Sequence, residues 1–133
     1  MANECACSAA PKLIFACSGA ADVGAIADKA ARKLSAEGAG KMYCLAGVGG
    51  RVSGIMKSTE AAAGILAIDG CPLDCAKNTL LQGGFTKFEH LRVTDLGMEK
   101  GQSPVSDERV ALAVVKGKSL LSQCAEAGCG CGD

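Results

Sequence analysis

The chain has 133 residues, enough for one domain, and about half of them are apolar, so a core can be buried without covalent staples. Fourteen basic residues balance fourteen acidic ones, and no basic stripe interleaved with aromatics appears, which argues against nucleic acid as a partner. No apolar run reaches the length of a membrane span, and Met1-Ala2-Asn3-Glu4 shows no basic-then-apolar leader, so the expectation is a cytoplasmic protein with no membrane partner.

Residues 1–11 carry Cys5 and Cys7, end at Pro11 and read as a short arm. Lys12 to Cys17 is short, apolar and followed by a Gly turn, which predicts a buried strand. Asp22 to Glu37 predicts an amphipathic helix, with Val23, Ile26, Ala27, Ala30 and Leu34 on one face and Asp28, Lys29, Arg32 and Lys33 on the other. Asp22 suits the positive start of that helix and Gly38 its stop. Lys41 to Leu45 predicts a second strand, with the Gly-rich Ala46–Gly50 as its exit loop, and the unit has the length of a right-handed parallel crossover. A second helix is expected over Ser53–Ala63, a third strand over Ile65–Ile68, and a short helix from Cys71 or Pro72 to Gly83-Gly84. The alternation of His90–Thr94 predicts an edge strand. Ser106 reads as the N-cap of a last helix reaching Cys124. This order predicts an α/β domain over 12–124, a three-layer αβα, Rossmann-like or flavodoxin-like fold on a mostly parallel four-stranded sheet. Residues 125–133 read as a Cys/Gly-rich tail.

Nine cysteines in a chain of this size are a large excess. In a reducing compartment the excess points to metal ligation or redox chemistry, and the odd count fits a closed disulfide framework poorly. Cys17 and Cys44 fall at or near the carboxyl ends of the first two strands, and Cys71 just after the third. A parallel sheet delivers those ends to one edge, where open α/β sheets place their ligands. If a helix starts at Cys71 or Pro72, Cys75 lies one turn on and shares its face with Cys71. Four thiolates in tetrahedral directions satisfy a closed zinc site. The net charge of such a site is −2, which helix starts after Cys17 and Cys71, together with Arg51 or Lys77, would offset. The bland alternative makes Cys17 and Cys44 ordinary small apolar strand residues.

The segments that carry these cysteines resemble a known family. Ala16-Cys17-Ser18-Gly19, Met42-Tyr43-Cys44-Leu45-Ala46-Gly47-Val48-Gly49-Gly50 and Ala67-Ile68-Asp69-Gly70-Cys71-Pro72-Leu73-Asp74-Cys75-Ala76-Lys77 are similar to the DGC-domain family, named for its central Asp-Gly-Cys motif. The likeness runs in order through roughly residues 13–122. It implies a zinc-binding domain whose four chelating cysteines are Cys17, Cys44, Cys71 and Cys75, and it implies no particular cellular role. Cys5, Cys7, Cys124, Cys129 and Cys131 lie largely outside it.

Other candidates weigh less. Asp69 is read either as an acceptor behind the metal or as part of an Asp-Gly turn. Cys5-x-Cys7 and Cys129-x-Cys131 offer further soft ligands, or are simply exposed thiols. Ala46–Gly50 lacks the Gly-Lys-Ser/Thr ending of a nucleotide loop. Cys17-Ser-Gly opening a helix suggests a nucleophile, but no Arg follows in the loop. His90, the one histidine, is expected to be a solvated strand residue far from the cysteine edge. The leading expectation is a zinc-binding protein with a structural, sensing or metal-handling role. A closed four-thiolate shell leaves no position for a reacting water, so enzymatic hydrolysis is disfavoured. The alternatives are a thiol–disulfide redox protein using Cys71 and Cys75, although their gap is one residue longer than Cys-x-x-Cys, and an iron–sulfur protein using the same four cysteines.

Overall fold

The computed structural model describes residues 10–128, with side chains described as far as residue 123. Four strands form one sheet in the order β2-β1-β3-β4, and every neighbouring pair is parallel. Strand β1 is Lys12–Ala16, β2 is Lys41–Met42, β3 is Gly64–Asp69 and β4 is Glu89–Arg92. The two central strands are buried along nearly their whole length, as their continuous apolar sequences require.

Helix α1 (Asp22–Ala36) and the long helix α5 (Asp107–Gly128) cover one face of the sheet. They enclose Ile14, Leu66, Ile68 and Leu91 together with Ile26, Leu34, Val114 and Leu121. The opposite face carries three short helices: α2 (Leu45–Gly49), α3 (Ser53–Glu60) and α4 (Cys75–Gln82). Leu13, Phe15, Ile65 and Ala67 pack there against Val48, Ala76 and Leu80, with Ile55 and Met56 at the margin. The alternation of β1 and β3 residues between the two clusters is the strand period of two, and it makes the three-layer αβα arrangement. Chain order reverses between β1 and β3, so the crevice beyond their carboxyl ends is the topological switch point.

The expected boundaries hold best where a signal is local. Helix α1 starts at Asp22, as its sequence predicts, and Gly38 beyond its end takes a left-handed φ of 82°. Ser106 caps α5, its Oγ accepting the Arg109 N–H at 3.2 Å. Four expectations are corrected. Strand β2 has two residues, and the Gly-rich stretch read as its exit loop is the short helix α2, because Cys44 turns the chain and caps it. Helix α3 stops at Glu60 instead of Ala63. Strand β4 ends at Arg92, and Val93–Leu96 continue as a 3-10 turn. Helix α4 begins at Cys75, not at Cys71 or Pro72, since Asp74 adopts a left-handed φ of 56° just before it. Among the described residues no helix is long and apolar enough to cross a membrane.

Candidate metal centre

The four cysteines of the described core are all free, and the fold brings them to the carboxyl rim of the sheet. Cys17 follows β1 directly, and its N–H still bonds the Ile68 carbonyl of β3 at 3.0 Å, so the sheet fixes its backbone. Its side chain is half-buried. Burial pushes the thiol up from its ordinary range. The N–H groups of Gly19 and Gly70 pull it down, and the nearby charges of Asp69 and Cys75 push it up again. The net shift is upward.

Glycines make the Cys17 cradle possible. A Cβ at Gly70 would stand 2.7 Å from the Gly24 nitrogen, and one at Gly24 would stand 2.7 Å from the Gly19 carbonyl oxygen. Three backbone segments therefore nest behind the sulfur at a distance that no side chain permits. Gly70 serves close approach rather than a positive-φ turn, which settles the reading of the Asp-Gly pair for the glycine.

Cys44 lies two residues beyond β2 and is the N-cap of α2; its Sγ accepts the Gly47 N–H at 3.3 Å. Cys71 follows β3 by two residues and is half-buried against the α1–α5 side of the core. Pro72-Leu73-Asp74 then make a turn, closed by the Asp74 N–H on the Cys71 carbonyl at 3.2 Å. Cys75 is the first residue of α4 and is exposed. Cys71 and Cys75 are thus placed by a turn and a helix start, and not as one face of a helix.

Backbone strain gathers here. Among the described residues three non-glycine positions have a left-handed φ: Ser18, Arg51 and Asp74. Ser18 immediately follows Cys17 and Asp74 immediately precedes Cys75. Such conformations cost about 1–2 kcal/mol each and persist only where surrounding contacts impose them. At Asp74 the contact is Arg92, whose Nε and Nη2 grip the two carboxylate oxygens at 2.9 and 2.7 Å. That guanidinium holds the Asp74 carboxyl below the usual range, against the opposing effect of partial burial. At Ser18 the hydroxyl donates to Asp28 at 2.8 Å. Arg51 is engaged elsewhere. Its guanidinium donates to the carbonyls of Val48 and Gln82, tying the carboxyl ends of α2 and α4 together at the far end from the sulfurs, so it is not the cation that offsets thiolate charge.

The most buried polar group at the rim is Asp69, the last residue of β3, only 1% exposed. Its Oδ1 accepts the Ala76 N–H at 2.6 Å and its Oδ2 the Lys77 N–H at 3.0 Å. These are orphan donors of the first turn of α4, whose own N-cap makes no side-chain bond. The third partner is His90, with Nε2 2.9 Å from Oδ2. His90 is therefore not a solvated residue remote from the cysteines. Leu91 faces the α1–α5 cluster, so its neighbours His90 and Arg92 turn to the other side, where Asp69 and Asp74 lie. The alternation of β4 held that signal, but only the register of β4 on β3 gave it an address.

Among the described residues the ligand atoms of Asp69, Asp74 and His90 form the one set of three or more lying within 4.8 Å of one another; the four sulfurs do not form such a set. Cys5, Cys7, Cys129 and Cys131 lie outside the described residues, as does the Cys124 side chain.

The sequence model of the DGC domain matches residues 13–116, which include all four rim cysteines, Asp69, Asp74, His90 and Arg92. The chain belongs to the DGC-domain family. A relative in that family, the anaerobic and virulence modulator AnvM of Pseudomonas aeruginosa, is 36% identical over 88 residues, covering 66% of this chain and 67% of its own. No solved structure matches. The family's Asp-Gly-Cys signature, Asp69-Gly70-Cys71 here, has a distinct physical task at each position: Asp69 grips the start of α4, Gly70 admits the α1 backbone, and Cys71 presents a sulfur.

Proposed function

We propose that this DGC-domain protein binds one zinc ion through the thiolates of Cys17, Cys44, Cys71 and Cys75, in a cytosolic setting that keeps them reduced. The observation that carries the reading is the arrival of four free thiols at one rim of the sheet. Cys17, Cys44, Cys71 and Cys75 are all free thiols just beyond the carboxyl ends of β1, β2 and β3, and the Cys44 Sγ accepts the Gly47 N–H at 3.3 Å. The donor on Cys44 stabilises its thiolate, and a thiolate is the form a metal binds. The donor set, four free thiols on one rim, fits zinc.

Tetrahedral ligation with Zn–S near 2.3 Å places sulfurs about 3.8 Å apart, so the rim must contract around the ion. Metal binding would then be coupled to the ordering of the loops that carry the cysteines, as it is in domains that gain folding energy from zinc. A closed four-sulfur shell holds no reacting water and supports a structural or sensing role over catalysis. The relative's description as a modulator accords with a regulatory use.

Elemental analysis of the purified protein beside the Cys75→Ser variant tests this. The expected result is a colourless protein with about one zinc per chain, and loss of zinc and thermal stability together in the variant. Full zinc occupancy in the variant would remove Cys75 from the site. A brown protein would make the centre iron–sulfur, and a metal-free protein with a reversible Cys71–Cys75 disulfide would make it a redox pair.

A further inference from the structure

Asp69, His90, Asp74 and Arg92 form a polar cluster beside the cysteine rim that the four-thiolate site does not use as ligands. Its geometry argues for a clamp and against a second cation site. Both Asp69 oxygens are taken by the Ala76 and Lys77 N–H groups, and both Asp74 oxygens by the Arg92 guanidinium. His90 Nε2 already has a partner in Asp69 Oδ2 at 2.9 Å. A carboxylate offers only acceptors, so Nε2 carries the hydrogen and donates. A cation entering here would have to displace three hydrogen bonds, one of them buried, and face the Arg92 charge.

We propose that His90 is a positioning residue for the metal centre, acting through Asp69 on Cys75. The chain of contacts is continuous. His90 on β4, only 19% exposed, orients the Asp69 carboxylate at the end of β3. That carboxylate holds the N–H groups of Ala76 and Lys77, the two residues that follow Cys75. The Cys75 backbone is thereby fixed relative to the strand end that leads, through Gly70, into Cys71. Asp74 and Arg92 hold the intervening turn from the other side. Without the His90 donor the Asp69 carboxylate keeps its two backbone bonds but loses its side-chain tie to β4, and the α4 start is held less rigidly against the sheet. The inference rests on the zinc reading of the rim, and it adds a part of the site that contributes no ligand atom. Groups behind a metal site typically change affinity by about 10–100-fold when removed.

The test compares the full-length wild type with His90→Ala and His90→Gln, whose side-chain amide can donate from near the position of Nε2. Zinc affinity is measured by competition with a chromophoric chelator, stoichiometry by elemental analysis, and the amide exchange of Ala76 and Lys77 on the metal-free proteins. The account expects His90→Ala to keep a single zinc per chain with affinity lowered about 10–100-fold. It also expects faster exchange at Ala76 and Lys77 with β1 and β3 amides unchanged, and recovery of both properties in His90→Gln. Unchanged affinity in His90→Ala would overturn the proposal, and so would equal weakening in His90→Ala and His90→Gln, which would assign the effect to packing. The exchange measurement separates this failure from that of the zinc reading. A wild type that takes up no zinc, while His90→Ala still loosens Ala76 and Lys77, refutes the metal site and leaves only the clamp.

Discussion

Two helix starts in this domain are each held by an aspartate, and they are built for different ends. Asp22 sits inside the first turn of α1, and its carboxylate accepts N–H groups from Val23, Gly101 and Ser103 at 2.7–3.1 Å. It fastens a long, well-buried helix to a surface loop. Asp69 is not in the helix it serves. It reaches from the end of β3 to the first turn of α4, is fully buried, and is itself oriented by His90. The α1 start needs little help, because that helix buries Val23, Ile26, Ala27, Ala30, Ala31 and Leu34. The α4 start has two buried residues behind it, Ala76 and Leu80, and a strained Asp74 before it. A helix so lightly packed is held by its polar anchor, and the residue at that anchor is Cys75.

The largest expected effect follows from removing the buried anchor. Asp69→Ala strips the hydrogen bonds from Ala76, Lys77 and His90 at once, and in urea unfolding of the metal-free protein we expect a loss of about 3 kcal/mol. Zinc uptake should fall with it. Asp22→Asn should cost less and leave zinc uptake intact. If Asp22→Asn lowers zinc uptake as far as Asp69→Ala does, the division between a fold anchor and a site anchor is wrong.

A smaller and sharper effect separates the two through pH. The Gly101 N–H, with those of Ser103 and Val23 beside it, holds the Asp22 carboxyl below its ordinary range. A carboxyl depressed in the folded state contributes stability above the unfolded value, near pH 4, and loses it as pH falls through the lower folded value. The stability difference between wild type and Asp22→Asn should therefore be full above pH ~5 and shrink toward pH ~2, measured with chelator present. A difference that is flat across this range would assign the Asp22 contribution to geometry and not to charge.

The same contrast explains what could be read from the sequence. Helix α1 announces itself locally: Asp22 at the start, apolar spacing along one face and Gly38 past the end. The parallel sheet was legible from the alternation of short apolar runs and helical periods, and with it the arrival of Cys17, Cys44 and Cys71 at one rim. Cys75 was placed among the candidates on the expectation of a shared helical face, which the structure replaces with a turn and a later helix start. The reason is Asp69. Its capture of the Ala76 and Lys77 N–H groups sets where α4 begins, and no local pattern at Cys71-Pro72 records a bond to a carboxylate in the preceding strand. His90 was misread for the same cause, since its surroundings depend on the pairing of Leu66–Asp69 with Glu89–Arg92. Helix α2 was missed because Gly47, Gly49 and Gly50 carry a loop-like composition, while the cap that starts the helix is a sulfur.

The two neighbouring constellations at the rim, four sulfurs and the Asp69–Asp74–His90 cluster, would give a bound ion different shells. X-ray absorption at the zinc edge of the loaded protein distinguishes them directly. The account predicts four sulfur neighbours at about 2.3 Å and no lighter atom in the shell. Nitrogen or oxygen neighbours at about 2.0–2.2 Å would bring His90 or a carboxylate onto the metal and contradict it.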